Sequence, residues 1–190
     1  MNKNVIIADA DYVDRVAFDL TVNFERMIGR QIPKADMARW ADCVALDGGV
    51  REGHDETRVV LIHDKASRSL SNFMPGVYDS ELNGQAFRDN LGEFIFEAYP
   101  VEPLTTKDDF FIDVVQTVCQ QDDVSRVMVI PDDTYYNKVQ HTLNRLDSDK
   151  RITVFAMQPM TGGSYRQEIL GYSLMAALGI SGDEVGDIDN

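Results

Sequence analysis

Five short apolar runs, rich in β-branched residues, predict the strands of a single sheet. They are Asn4–Ala8 (NVIIA), Arg58–His63 (RVVLIH), Glu93–Ala98 (EFIFEA), Arg126–Ile130 (RVMVI) and Arg151–Ala156 (RITVFA). Most of the runs are continuous, with little alternation between apolar and polar residues. That pattern is typical of strands that are buried on both faces of a parallel sheet.

Apolar residues at helical spacing fill the gaps between these runs. They predict helices over Asp11–Ile28, Lys34–Leu46, Thr106–Gln120 and Thr134–Leu146. Strands that alternate with helices form right-handed βαβ units. The predicted fold class is therefore α/β: a doubly wound, mainly parallel five-stranded sheet with helices on both faces.

Two segments depart from this alternation. The stretch Lys65–Asn90 is long and rich in Ser, Asn and Gly, so we predict a loop with one short helix near Leu82–Asn90. Its apolar residues are expected to dock on the core; they are Leu70, Phe73, Met74 and Phe87. After Thr161-Gly162-Gly163, the pattern predicts an amphipathic helix over Tyr165–Leu178, which either caps the domain, as we favour, or makes a homodimer contact.

These elements divide the chain into residues 1–160, an α/β domain, and residues 161–190, a C-terminal helix and a frayed acidic tail packed on the same domain. No apolar run approaches the ~20 residues that a membrane helix needs, and no signal-peptide pattern is present. We therefore expect a cytoplasmic protein without a membrane partner. Cys43 and Cys119 lie far apart in apolar helical settings, which indicates buried free thiols.

The charge balance limits the function classes. The chain has 18 basic residues against 32 acidic ones, a net charge of −14. Binding to nucleic acid usually depends on a basic surface. Any such role here would need a local basic patch or bridging metal ions.

Acidic residues lie at the ends of three of the predicted strands, and the second strand ends in His63-Asp64. Asp9 and Asp11 come at the end of the first strand, and Asp132 and Asp133 come at the end of the fourth. Ligands of parallel α/β sheets bind beyond the carboxyl ends of the strands, and these two strands are neighbours in the common doubly wound orders. Clustered carboxylates need a counter-charge, which Mg²⁺ or Mn²⁺ can supply. The four aspartates are therefore the predicted metal ligands.

Helix capping is the alternative for part of this set. Asp11 and Asp133 are equally suited to cap the helices that follow them, because helix N-termini favour aspartate. For Asp9 and Asp132, at the strand tips, we favour a functional role.

The start of the third helix supplies two further candidates, Asp109 and Asp113, which share one helix face at i, i+4 spacing. Acids in the first turns of a helix are often only partners of the helix dipole. Asp113 is flanked by Ile112 and Val114, and a carboxylate beside an apolar face requires a partner.

Three segments resemble the NYN domain of the PIN-like nuclease superfamily. VIIADADYVD is similar to its first strand, TTKDDFFIDVV to its lysine-and-aspartate helix start, and VMVIPDDTYYNKVQHTL to its fourth strand. The basic last strand KRITVFAM also fits, and the resemblance covers roughly residues 3–157. Three features depart from the family pattern. Tyr12 stands where an asparagine is usual, Thr134 takes the place of a second aspartate, for which Asp133 is the substitute, and the lysine-to-aspartate spacing near Lys107 is altered.

The resemblance implies a metal-dependent ribonuclease that uses Mg²⁺ or Mn²⁺, with RNA as its partner. Its catalytic residues would be Asp9, Asp132, and Asp109 or Asp113, and Asp11 and Asp133 would make weaker contributions. The departures at Tyr12 and Thr134 bear on catalysis more than on the fold.

Two other hypotheses remain open. The order of Asp9, Asp11, Lys107 and Asp132-Asp133 resembles haloacid-dehalogenase-like phosphatases, which implies Asp9 as nucleophile and Asp11 as general acid–base. Against this, a helix is predicted from Asp11 where that family has a flap, and His63-Asp64 stands where a Ser or Thr is expected. The third hypothesis is a catalytically inactive PIN-like interaction module.

Overall fold

A seven-stranded sheet lies at the centre of the computed structural model, which describes residues 3–186. The strands are β1 (Lys3–Asp9), β2 (Ala35–Asp36), β3 (Glu56–Asp64), β4 (Phe73–Met74), β5 (Ala86–Asp89), β6 (Gly92–Val101), β7 (Val124–Ile130), β8 (Arg151–Ala156) and β9 (Arg166–Ile169). The sheet order is β5-β6-β3-β1-β7-β8-β9, and only β5 runs antiparallel to its neighbour. The short strands β2 and β4 pair separately.

Helices cover both faces of this sheet. They are α1 (Ala10–Ile28), α2 (Met37–Asp47), α3 (Lys107–Cys119), α4 (Tyr136–Arg145), α5 (Leu170–Ala177) and α6 (Gly182–Gly186), with a π-helical turn at Tyr78–Leu82 and a 3₁₀ turn at Asp133–Tyr135. One apolar core lies between the sheet and α1, α2 and α5, and the other lies between the sheet and α3 and α4. Alternate residues of each central strand enter the two cores, which explains the continuous apolar runs.

The predicted α/β class with a mainly parallel sheet and helices on both faces is confirmed, as are all five predicted strands. The predicted number of five strands is wrong, because β5 and β9 extend the sheet at its two edges. Both added strands are four residues long and carry charged residues, as is usual at sheet edges. Neither shows the continuous apolar run of a central strand.

The segment Lys65–Asn90 is docked on the core. Leu70 and Phe73 are buried as predicted, and Phe87 stacks on Phe94, whereas Met74 is exposed. The predicted helix near Leu82–Asn90 is wrong. Its place is taken by the end of the π-helical turn and by β5, because Phe87 pairs across the hairpin with β6.

The C-terminal part joins the same body. The predicted helix over Tyr165–Leu178 is correct only from Leu170, because Arg166–Ile169 pairs with β8 as strand β9. Helix α5 packs on α2 and buries Leu170, Leu174 and Leu178. The predicted frayed tail is helical over α6, and residues 187–190 lie outside the described residues.

Two smaller expectations can be compared with the structure. Cys43 and Cys119 are free thiols, Cys119 buried and Cys43 half-buried. No helix within the described residues combines the length and apolarity required to cross a bilayer.

Candidate functional site

Asp9 lies at the carboxyl end of β1, in the middle of the sheet, and its side chain is completely buried. One oxygen accepts a hydrogen bond from the Tyr12 backbone N–H at 3.1 Å and lies 3.5 Å from the Lys107 ammonium. The other accepts a hydrogen bond from the Tyr135 hydroxyl at 2.5 Å. Burial raises the pKa of Asp9, although Tyr135 and Lys107 oppose the shift.

Lys107 is the cation that holds several acids together. From the first turn of α3, its ammonium contacts Asp11 at 2.9 Å and Asp64 at 3.1 Å in addition to Asp9. Burial alone would lower the pKa of Lys107, but the charges of Asp9 and Asp11 outweigh burial and raise it. Lys107 therefore remains charged at neutral pH.

Asp11 is fixed from two sides. Its Oδ2 atom accepts hydrogen bonds from Lys107 and, at 2.7 Å, from the backbone N–H of Asp64. Burial raises the pKa of Asp11, but the Asp64 N–H and Lys107 reverse the shift and lower it. Asp11 is therefore an ionised acceptor that ties the end of β3 to the start of α1.

Asp132 has a cation of its own. It follows β7, the neighbour of β1, and its Oδ2 atom lies 2.8 Å from the Arg15 guanidinium. Its Oδ1 atom accepts the backbone N–H of Thr134 at 2.9 Å and the Thr134 hydroxyl at 3.0 Å. Burial raises the pKa of Asp132, but Thr134, Asp133 and Arg15 lower it overall. The carboxyl of Asp133 is exposed, and its hydrogen bond with Asp132 raises the pKa of Asp133.

The capping roles are the reverse of those predicted. Asp9 caps α1 through the Tyr12 N–H, and Asp132 caps the 3₁₀ turn through the Thr134 N–H. Asp11 lies two residues after Asp9 and Asp133 one residue after Asp132, so both are inside the first turn of their helical segments and neither is the N-cap. The helical segments therefore begin one residue earlier than the pattern indicated, at Ala10 instead of Asp11 and at Asp133 instead of Thr134.

Asp109 and Asp113 take other positions. Asp109 is exposed and pairs with Lys138 of α4 at 2.6 Å, as does Asp108 at 3.0 Å. Asp113 is exposed on the outer face of α3, so it does not need the buried partner that its apolar neighbours suggested. Neither Asp109 nor Asp113 hydrogen-bonds or ion-pairs with Asp9, Asp11 or Asp132 in the described part of the chain.

We call Asp9, Asp11, Asp64 and Asp132 the aspartate cluster, and its donor set does not fit a metal ion. The Lys107 ammonium occupies the position between three of these carboxylates that a cation would take. Both oxygens of Asp9 and both of Asp132 already accept hydrogen bonds from the protein. Within residues 3–186, no group of three or more His, Cys, Asp or Glu side chains is arranged so that it could hold a metal.

A cleft of about 600 Å³ opens beside the cluster, beyond the carboxyl ends of β7 and β8. Its lining combines aromatic, apolar and polar side chains, among them Tyr12, Asp133, Tyr136, Met157 and Gln158. In parallel sheets this crevice is the usual place for a ligand. The four aspartates of the cluster form no part of the lining, and Asp133 is the acid that reaches the cleft.

Sequence reasoning missed two residues that complete the cluster, Arg15 and Tyr135. Arg15 lies on α1 six residues after Asp9, so a helix that begins at the strand tip brings it back over the cluster. Tyr135 reaches Asp9 across 126 positions of sequence, and no local pattern indicates that contact.

Comparison with known proteins gives one match. A family model described as a family of unknown function, DUF6621, matches residues 1–185. No curated protein and no solved structure matches the chain.

Proposed function

The chain belongs to this family of unknown function, and we propose from its site that it is a non-catalytic binding module on a PIN-like scaffold. The observation that carries this proposal is the position of the Lys107 ammonium, 2.9–3.5 Å from Asp11, Asp64 and Asp9. A lysine at the centre of the carboxylates supplies the counter-charge that a metal would otherwise supply.

Both enzyme hypotheses meet an obstacle in this arrangement. A metal-dependent ribonuclease needs carboxylate oxygens that are free to bind Mg²⁺ or Mn²⁺, whereas Asp9 and Asp132 have theirs engaged by the protein. A phosphatase of the haloacid-dehalogenase type needs an accessible nucleophile, whereas Asp9 is completely buried. The cluster instead ties β1, β3, β7, α1 and α3 together behind the cleft, whose walls are then free to bind a partner.

The direct test is an RNA-cleavage assay. Labelled single-stranded and hairpin RNAs are incubated with the wild type and with Asp132→Asn, each with Mg²⁺ and with Mn²⁺. We expect no cleavage beyond that of the Asp132→Asn protein. Cleavage by the wild type that Asp132→Asn abolishes would overturn the proposal and establish the ribonuclease. Hydrolysis of a phosphate monoester that Asp9→Asn abolishes would overturn it in favour of the phosphatase.

One observation keeps ribonuclease as the second candidate function. Asp133 is exposed, has no cationic partner among residues 3–186, and lies in the wall of the cleft beside Asp132. Mg²⁺ retains several waters and often binds through one or two carboxylates plus the phosphates of its substrate. In that case metal would bind only together with RNA, so the assay uses both.

A further inference from the structure

Four arginines converge at the opposite end of the sheet from the aspartate cluster. Arg126 of β7 is paired in register with Arg151 of β8, and Arg166 of β9 is paired with Thr153, two residues further along β8. Because residues two apart on a strand share a face, all three side chains lie on the face that α2 covers. The fourth member, Arg51, follows the end of α2.

These arginines form few ion pairs among the described residues. Arg126 and Arg151 form no ion pair within residues 3–186, and Arg51 donates only to the backbone carbonyls of Leu46 and Val50. Arg166 pairs with Glu168 at 2.7 Å. Burial lowers the pKa of Arg126, and so do the nearby charges of Arg151 and Arg51. Like charges on paired strands destabilise a sheet. Arg126 and Arg151 are nevertheless paired, in a chain that has 32 acidic residues against 18 basic ones.

The arginine side chains border a cleft and approach one another over a glycine. A cleft of about 370 Å³ is lined by both basic and acidic side chains, which are Arg126, Lys150, Arg151, Asp55, Asp122 and Asp149. Arg51 and Arg166 lie outside this lining. The guanidinium groups of Arg126 and Arg166 meet over Gly49, where an added Cβ would lie 2.9 Å from Arg126 Nη1. Gly49 has a φ of +96°, a backbone conformation that favours glycine, and the missing side chain leaves room for the guanidinium group of Arg126. The planar forks of arginine bind phosphate oxygens in a bidentate manner.

We propose that this arginine cluster, Arg51, Arg126, Arg151 and Arg166, binds a compact oligophosphate such as the di- or triphosphate tail of a nucleotide. Asp55, Asp122 and Asp149 also line the cleft, so positive charge is confined to the arginines themselves. That short span matches a few phosphate groups rather than a long polyanion such as RNA. None of these residues belongs to the aspartate cluster, so the site goes beyond the proposed function and is independent of it.

The experiment measures binding of inorganic tripolyphosphate by calorimetry and by the shift in melting temperature, at constant ionic strength. Sulfate and orthophosphate serve as reference anions. We expect tripolyphosphate to raise the melting temperature more than either reference, and Arg151→Gln to weaken its binding at least tenfold. Arg145→Gln, an exposed arginine at the end of α4, is the charge-matched control and should bind like the wild type.

Stability without ligand separates a binding role from a structural one. If the arginines are held together for a ligand, Arg151→Gln should leave the unliganded protein equally or more stable, because the substitution removes repulsion with Arg126. A loss of stability without ligand in Arg151→Gln, with tripolyphosphate binding retained, would overturn the proposal. So would the absence of any tripolyphosphate effect on the wild type, or competition by single-stranded RNA at lower phosphate concentration than tripolyphosphate.

Discussion

Lys107 carries the positive charge on which three aspartates depend. Its replacement by alanine leaves Asp9, Asp11 and Asp64 close together without that cation, and the uncompensated charge of a partly buried pair costs about 3 kcal/mol of unfolding free energy. We expect this loss for Lys107→Ala in urea denaturation at neutral pH.

The matched control is Lys138→Ala. Lys138 also contacts two aspartates, Asp108 and Asp109, but its side chain is half exposed, and exposed ion pairs contribute about 1 kcal/mol or less. Equal losses for the two variants would contradict the central role assigned to Lys107.

The hydroxyl of Tyr135 is the second residue on which Asp9 depends. Tyr135→Phe leaves one oxygen of a buried carboxylate without its donor, which should lower the unfolding free energy by about 1–3 kcal/mol. Tyr136→Phe removes a hydroxyl from the neighbouring buried tyrosine, which bonds no carboxylate among residues 3–186, and should cost less. If the two phenylalanine variants unfold at the same denaturant concentration, the hydrogen bond from Tyr135 to Asp9 contributes no more to the unfolding free energy than the hydroxyl of Tyr136 does.

The sequence predicts part of the aspartate cluster at this scale. The proximity of Asp9 and Asp132 follows from two strands that are neighbours in a doubly wound sheet. The partners of these acids do not follow, because Tyr135 and Arg15 reach them through tertiary packing. The sequence therefore indicates an unbalanced acidic site, whereas the folded chain supplies its own cations.

Between helix α2 and edge strand β5, two acids lie side by side. Burial, and then the hydrogen bond and charge of Asp89, raise the pKa of Asp42 to about 7. The folded state therefore holds a proton between about pH 4 and pH 7 that the unfolded state releases, so stability falls as pH rises through that range.

Asp42→Asn should remove this dependence. At pH 8 we expect the variant to be more stable than the wild type by about 1–2 kcal/mol, a value reduced from the full pKa shift because Asp42 is partly exposed. Denaturation curves at pH 4.5 and pH 8 give the comparison, with Asp19→Asn on the exposed face of α1 as the control. If the difference in unfolding free energy between the wild type and Asp42→Asn is the same at pH 4.5 and at pH 8, the raised pKa of Asp42 is contradicted.

Helix α5 should stabilise the fold through its inner face. Leu174 is completely buried against the core, and Leu174→Ala should cost about 2–4 kcal/mol. Tyr172 is 71% exposed on the same helix, and Tyr172→Ala should change stability by about 0.5 kcal/mol or less. Thermal denaturation distinguishes the two, and equal effects would argue that α5 is loosely attached. A homodimer contact through this helix stays a prediction.

The sequence predicts the strands that are buried on both faces of the sheet, and it does not predict the strands at the edges. Continuous apolar runs predict the central strands, and a stripe of apolar residues at helical spacing predicts α1. The edge strands β5 and β9 have mixed sequences, and their structure comes from pairing with β6 and β8. In Tyr165–Leu178, the helical spacing of Leu170, Leu174 and Leu178 was correct, but its extension back to Tyr165 was not.

Across the whole molecule, the aspartate cluster and the arginine cluster lie at opposite ends of the strands. The carboxyl ends hold the aspartates with Lys107 and Arg15 among them, and the amino ends of β7 and β8 hold the arginine cluster. In a chain with a net charge of −14, four arginines are therefore gathered at one end of the sheet, beside Asp55, Asp122 and Asp149. The two ends have separate proposed roles. At the carboxyl ends the protein neutralises its own acidic cluster, and at the amino ends the arginines bind an oligophosphate.

The melting temperature in the presence of divalent ions tests the central claim most directly. At constant ionic strength, about 5 mM Mg²⁺ or Mn²⁺ should leave the wild type unchanged, because an ion that does not bind the folded state cannot stabilise it. The same ions should raise the melting temperature of Lys107→Ala, whose three carboxylates then lack a cation. A wild type stabilised by several degrees, with the effect lost in Asp9→Asn, would contradict the claim and restore a metal centre.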